Sequence, residues 1–225
     1  ANSYERASRW KDTSDAYANL MAIDTTNLYF TIKKSEAEIN RKNYGQAIHD
    51  LTLVLQKDSL PNAIKLLGKT YETINKLDSA IYYYNLSWAA DSLDSFSASN
   101  LVNVLLKTRE YKQALRYSVQ ALEKNPDDKS LNMLHGYAYY ALEDYDNAAA
   151  ELERCFMLGD SSLVVNRSLG ISFFYRGDSE CAYQYLSRAY QQDTTHAVVM
   201  YNLAVSAFEV GQVEESIKLH DALLK

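Results

Sequence analysis

The sequence predicts an all-α protein built from tandem pairs of helices. Small residues recur with a period near 34 residues, which is typical of helical repeat arrays. A second, mostly small set lies twelve positions earlier in each repeat, so we expect two closely packed helices per repeat. Two prolines and seven glycines in 225 residues argue against an all-β fold. The later set is Ala47, Ala80, Ala114, Ala148, Ala182 and Ser216, and the earlier set is Ser35, Gly68, Val102, Gly136, Gly170 and Ala204.

The repeat register predicts six helix pairs preceded by one helix. Extending it backward from Ala47 reaches Thr13, with Trp10 at the position of Tyr44, so the leading helix is expected to be of the second type. Segments rich in Asp, Ser and Thr end each repeat, and these residues form turns and helix N-caps. Because no Pro/Gly/Ser-rich linker interrupts the chain, we expect one continuous solenoid domain. The expected ranges are 1–27 for the leading helix and 28–60, 61–94, 95–128, 129–162, 163–196 and 197–225 for the repeats.

The turns inside each pair are expected to use glycine as a C-cap where glycine is present. Candidates are the segments 43–45 and 176–178, which contain Gly45 and Gly177. Four positions after the alanines, large residues such as Tyr84, Leu152 and Leu186 are expected to pack against the small residues of the first helix.

This register resembles that of the tetratricopeptide repeat family, whose pattern is Gly, aromatic, Ala, aromatic, Ala and Pro. The repeat 129–162 matches with Gly136, Tyr139, Tyr145 and Ala148. The repeat 95–128 departs at Val102 but keeps the later positions of the pattern. The resemblance implies a right-handed α-α superhelix in which the first helix of every repeat lines a groove that binds protein segments.

The resemblance also assigns the residues that line this groove. In the N-terminal half they are mainly polar, with a local positive charge. In the C-terminal half they are mainly aromatic and apolar, which is the composition of a binding hot spot. The alternative, that Tyr140, Tyr175 and Phe208 fill space between first helices, stays open. The predicted groove residues are Lys65, Lys69, Asn100 and Asn103, followed by Met133, Tyr137, Tyr140, Arg167, Ile171, Phe174, Tyr175, Tyr201 and Phe208.

The sequence contains no recognisable catalytic, cofactor or metal motif. Gly68-Lys69-Thr70 lacks the earlier glycine of a phosphate-binding loop and is predicted to lie within a helix. The four histidines share no metal-ligand spacing, although His135 and His220 occupy expected core positions. Cys155 and Cys181 lie in different repeats, so we do not expect a disulfide. We therefore expect no catalytic residue, no cofactor and no metal.

The favoured function is a non-catalytic scaffold that binds a partner protein or peptide segment in the groove. The net charge of −6 disfavours a nucleic-acid partner, and no apolar run is long enough for membrane insertion. One alternative is a self-assembling module, including a homodimer through the C-terminal helix with its Leu219, Leu223 and Leu224. A small-molecule receptor or an enzyme is a more remote alternative. The start at Ala1-Asn2-Ser3 suggests processing, so we favour export to a bacterial periplasm, with the cytoplasm as the alternative.

Overall fold

The computed structural model describes residues 2–224, with side chains from residue 8 onward. Within these residues the chain forms thirteen α-helices and no strand. This confirms the predicted all-α solenoid class. The range 1–27 contains one helix, and each later predicted range contains two. The helices are α1 (Asn2–Ile23), α2 (Leu28–Asn40), α3 (Tyr44–Lys57), α4 (Pro61–Thr73), α5 (Leu77–Ala90), α6 (Ser95–Lys107), α7 (Tyr111–Lys124), α8 (Lys129–Ala141), α9 (Tyr145–Met157), α10 (Leu163–Arg176), α11 (Ser179–Gln192), α12 (Ala197–Glu209) and α13 (Val213–Leu223).

The chain divides into two compact units, Ala1–Val104 and Leu105–Lys225. In the first unit, α1 to α5 pack in sequence order, and α2 also contacts α4. In the second unit, α7 to α13 pack in sequence order, and α10 contacts both α8 and α12. Neighbouring first helices therefore lie side by side within each unit. The single continuous domain expected from the sequence stays a prediction.

The small residues lie at the contacts between paired helices. All six positions of the alanine set are buried, and Gly136 and Gly170 allow the first helix to approach the second. A Cβ atom at Gly136 would lie 2.8 Å from Cγ of Leu152, and one at Gly170 would lie 2.6 Å from Cγ of Leu186. Since these distances are too short for carbon contacts, the glycines are required by packing.

The turns inside the pairs share one backbone conformation. In each, one residue has positive φ, and the next N–H closes a Schellman-type bond, as in Asp144 N–H to the Tyr139 carbonyl at 3.1 Å. The glycine expectation is right for Gly177 and wrong for Gly45, which lies inside α3 while Lys42 takes the left-handed conformation. The positive-φ residues are Lys42, Asn75, Arg109, Glu143, Gly177 and Gly211.

The leading helix α1 packs on α2 and is joined to it by a buried polar contact. Ser14 Oγ donates a hydrogen bond to the carboxylate of Glu38, which occupies a position that is aromatic in three other repeats. Arg41 and Asn43 donate two further bonds to Glu38, each 2.7 Å long. Leu20 stays exposed, whereas its register equivalent Val54 is buried in the core of the first unit.

Candidate binding surface

The predicted groove residues of the second unit form rows across three adjacent first helices. Because the repeat is 34 residues long, Met133, Arg167 and Tyr201 occupy equivalent positions on α8, α10 and α12. Tyr140, Phe174 and Phe208 form a second row seven residues further along, two turns later on the same side of each helix. We call the surface that carries these rows the groove face.

Part of the groove face belongs to the core. Ile171 is buried within the hydrophobic core of the second unit, so it is unavailable to a ligand, contrary to its predicted role. Ile171 lies on α10, which contacts both α8 and α12. Met133, Tyr140 and Phe174 are half-buried and pack against the same core. Tyr140 thus fills space beside the core, as the packing alternative describes, and its contact with a ligand stays a prediction.

The other part of the groove face is exposed. Tyr175, Tyr201 and Phe208 have 60%, 54% and 63% of their surface accessible. Val198 on α12, which the sequence analysis did not select, is also exposed. Since the paired and neighbouring helices bury most other large residues of α10 and α12, these side chains form a surface that packing within the chain does not use.

Five rings of the second unit form a continuous series that we call the aromatic ladder. Tyr137 contacts Tyr140, with ring centroids 5.5 Å apart, and Tyr140 contacts Tyr145 at 6.3 Å. Tyr145 stacks on Tyr175 at 4.7 Å with an interplanar angle of 15°, and Phe174 meets Tyr175 edge to face at 5.4 Å. Tyr145 was missed because its register position is a packing position in the repeat pattern.

Two tyrosines of the aromatic ladder, Tyr140 and Tyr145, have a pKa raised above the ordinary value of 10, so they keep their hydroxyl protons at neutral pH. Burial raises the pKa of Tyr140, although the nearby Arg167 guanidinium acts in the opposite direction. Burial and the neighbouring Glu143 carboxylate raise the pKa of Tyr145. These groups therefore offer neutral rings and hydroxyl donors to a ligand.

Among the polar groove residues of the first unit, Lys65 does not carry the free positive charge that the sequence predicts. Lys65 Nζ forms an ion pair with Asp94 at 3.0 Å, so its charge is neutralised locally. Lys69 is exposed and carries the remaining positive charge of α4. Asn100 donates a hydrogen bond to the Phe96 carbonyl, and Asn103 is half-buried.

The polar side chains of Ser118 and His135 are buried in the core and hydrogen-bonded there, as structural polar groups are. Ser118 Oγ lies 2.9 Å from His135 Nδ1, but both residues are buried, and Ser118 also bonds the Leu115 carbonyl. Burial lowers the pKa of His135, so it is neutral at pH 7. His220 was expected in the core and is exposed, because no first helix of the described chain covers that side of α13.

The remaining chemical groups of the described chain are simple. Both cysteines are free thiols. Among residues 2–224, no group of three or more His, Cys, Asp or Glu side chains is arranged to hold a metal ion. No helix in that range is both long and apolar enough to cross a bilayer.

Comparison with known proteins agrees with the repeat register. The tetratricopeptide repeat family model matches residues 100–154. The tetratricopeptide repeat-containing protein trd-1 of Caenorhabditis elegans is 20% identical over 143 residues, which are 64% of this chain and 18% of that protein. The chain thus spans less than a fifth of the length of this relative.

Solved structures share the fold at low sequence identity. The Pseudomonas aeruginosa protein pilF has a TM-score of 0.71 and 18% identity, covering 95% of this chain and 91% of that chain. A tetratricopeptide repeat protein from Parabacteroides merdae has a TM-score of 0.70 and 16% identity, and the match covers 88% of this chain and 78% of that chain. YrrB, described as a TPR protein with an unusual peptide-binding site, has a TM-score of 0.64 and 19% identity. The match covers 77% of this chain and 90% of that chain.

Fold and register together define a helical repeat protein whose paired helices are stacked in tandem. Residues 100–154 match the tetratricopeptide repeat family, and the chain shares its fold with solved tetratricopeptide repeat proteins. Proteins of this family generally act as non-catalytic scaffolds that bind other proteins.

Proposed function

We propose that this protein is a non-catalytic scaffold that binds a segment of a partner protein on the groove face of its second unit. The observation that carries the proposal is the exposure of Tyr175, Tyr201 and Phe208 on adjacent first helices. Large aromatic side chains are enriched among the residues that dominate binding energy at protein interfaces. A face that exposes three of them beside half-buried rings has the composition of such an interface.

The rigidity of the ladder supports recognition of a segment. Tyr175 is held by Tyr145 and Phe174, so little side-chain entropy is lost when a ligand packs against it. Met133 and Arg167 add an apolar side chain and a cation to the same rows. YrrB, which has the same fold, is described as binding a peptide. Lys69, Asn100 and Asn103 of the first unit stay predicted polar groove residues of that unit.

The proposal is tested by selecting ligands from a displayed library of random twelve-residue peptides against the intact protein. An enriched peptide is synthesised, labelled with fluorescein, and titrated by fluorescence anisotropy. The variant Tyr175→Ala with Tyr201→Ala is expected to weaken its binding by about 2 kcal/mol or more, roughly thirtyfold, as for hot-spot residues.

The matched control is Tyr82→Ala. Tyr82 is 62% exposed, close to the 60% of Tyr175, and also contacts a second tyrosine ring, but it lies on a second helix of the first unit. This variant should bind the peptide like the wild type. Absence of any enriched peptide, or equal affinity of the folded groove variant and the control, would refute binding on this surface.

A self-assembling module is the second candidate, and α13 supports it. Val213 and Ile217 are exposed on this helix, and so is Leu224, which directly follows it. Such apolar side chains could be covered by a second copy of the chain.

A further inference from the structure

Negative charge is concentrated in one segment of the second unit, residues 141–215. Residues 141–215 contain twelve Asp and Glu residues but only four Lys and Arg residues, whereas the whole chain has 29 and 23. The formal charge of this segment is therefore −8, more negative than the −6 of the complete chain. A binding partner that approaches the second unit meets a field that favours cations.

Several of these carboxylates line one depression. It lies between the turn that joins α10 to α11 and the C-terminal end of α12, and Asp178, Glu180 and Glu209 contribute its acidic groups. The residues Arg176 and Ser179 line it as well. We call it the acidic depression.

The acidic depression lies one repeat beyond the ring stack of the aromatic ladder, because the hydrogen-bonded Ser179 and Glu209 follow the stacked Tyr145 and Tyr175 by 34 residues each. Arg176 lines the depression and directly follows Tyr175 of the ladder. Its Nε lies 2.8 Å from the carboxylate of Asp146, the neighbour of Tyr145 in sequence. On the other side, exposed Phe208 directly precedes Glu209. A bound segment can thus contact aromatic rings and carboxylates together.

The depression has an excess of negative charge. Arg176 is neutralised by Asp146, which leaves the three carboxylates that line the depression. Asp178 caps α11 by accepting the Cys181 N–H, and thereby offsets the positive end of that helix. Glu209 accepts a hydrogen bond from Ser179, and Glu180 has no ion-pair partner in the part of the chain that the structure describes. The C-terminal ends of α10 and α12, which carry partial negative charge, also lie here.

We propose that the acidic depression receives a lysine or arginine side chain of the bound segment, whose apolar or aromatic residues pack on the aromatic ladder. The inference rests on the proposed function. It identifies the partner as a protein segment that carries a basic residue together with apolar or aromatic residues. Carboxylates bind guanidinium and ammonium groups through charge-assisted hydrogen bonds, and tyrosine faces also attract these cations. A small apolar ligand fits less well, because Val210 is the only apolar side chain among the lining residues.

The test uses three displayed libraries of twelve-residue peptides. Two positions are fixed as Lys or Arg in the first library, as Gln in the second and as Glu in the third, and the other ten are random. The basic library should enrich most strongly on the intact protein. A fluorescein-labelled basic peptide from it should bind Glu180→Gln with Glu209→Gln about threefold to tenfold more weakly at low salt, as expected when two exposed charge pairs are lost. Added salt should reduce this difference.

The control for net charge is Glu123→Gln with Glu214→Gln. This variant removes two exposed carboxylates of the second unit that lie outside the depression, so it should retain near wild-type affinity. Equal weakening by both variants would show non-specific attraction and overturn the proposal.

The outcomes separate this inference from the proposed function. Preferential enrichment of the neutral or acidic library, with binding still lost in the Tyr175→Ala and Tyr201→Ala variant, would overturn the basic partner and leave the groove face as the binding site. If none of the three libraries binds, both proposals fail.

Discussion

Gly170 and Gly45 are both helical glycines, but their surroundings differ. A Cβ atom at Gly170 would lie 2.6 Å from Leu186 Cγ and 2.9 Å from the Leu186 backbone nitrogen. No atom lies within 4 Å of the equivalent position at Gly45. The first glycine is therefore required by packing, and the second is not.

We expect Gly170→Ala to lower the free energy of unfolding by about 1–3 kcal/mol, because the added methyl group overpacks the contact between α10 and α11. Gly45→Ala should raise the free energy by up to about 1 kcal/mol, since alanine loses less backbone entropy in a helix. Urea denaturation followed by circular dichroism measures both. Similar changes in the two variants would contradict the helix register.

Lys42 carries a local strain that glycine would relieve. It has a φ of 64° at the C-terminal turn of α2, a position that Gly177 and Gly211 occupy in later repeats. Left-handed backbone costs an L-residue about 1–2 kcal/mol, while glycine loses more entropy on folding. Lys42→Gly is thus expected to stabilise the protein by about 0.5–1 kcal/mol.

The comparison variant is Gly177→Ala, which should destabilise the protein by a similar amount. Both midpoints come from urea titrations. A loss of stability in Lys42→Gly would mean that the lysine side chain makes a contribution larger than the backbone strain.

At the level of elements, α1 depends on a buried carboxylate. Glu38 is 3% exposed and accepts hydrogen bonds from Ser14, Asn43 and Arg41. Burial acts to raise the pKa of Glu38, but these hydrogen bonds and the Arg41 charge outweigh it and hold the pKa below the ordinary value of 4.5. The ionised form therefore stabilises the fold above pH 4.5, and this contribution disappears as the pH falls through the lowered pKa.

Glu38→Gln should cost about 1.5–3 kcal/mol at neutral pH, because it weakens charge-assisted hydrogen bonds in a buried site. The variant should also lose less stability than the wild type when the pH is lowered to about 3. Glu36→Gln, which removes a more exposed ion pair with Lys33, is the control and should cost under about 1 kcal/mol. Identical pH dependence of the urea midpoint in wild type and Glu38→Gln would exclude this role.

The paired helices could be predicted because their packing repeats. In most repeats a small residue of the first helix faces a large residue of the second, and this pair recurs about every 34 residues, so each element is supported by the others. The turn at Lys42 could not be predicted, because a repeating backbone tolerates a non-glycine residue where packing overrides its local preference.

The candidate site could be predicted only in part, because the repeat pattern does not describe contacts between neighbouring repeats. The family pattern assigns Tyr175 and Ile171 alike to the groove, but burial depends on how closely neighbouring first helices approach. The ring stack of Tyr145 on Tyr175 joins two different repeats, so no spacing within one repeat indicates it.

At the scale of the whole molecule, the last helix differs from its equivalents. Tyr183 and Tyr190 of α11 are half-buried, and α12 packs against that helix. Their equivalents are Ile217 in α13 and Leu224 directly after it, which are 56% and 86% exposed. Helices in a repeat array gain stability from each neighbour they contact, so α13 should open more readily than an inner helix such as α9.

Hydrogen exchange and sedimentation decide between opening and self-association of α13. In a confirmed monomer, the amides of residues 213–223 should be the least protected of the second unit, and protection equal to that of α9 would contradict this expectation. In a self-associating protein, protection of α13 should rise with concentration, because a second copy covers its apolar side. Ile217→Lys should then restore the monomer mass in sedimentation, since a charge would be buried without a partner. Dimers that persist in this variant would place the contact elsewhere on the molecule.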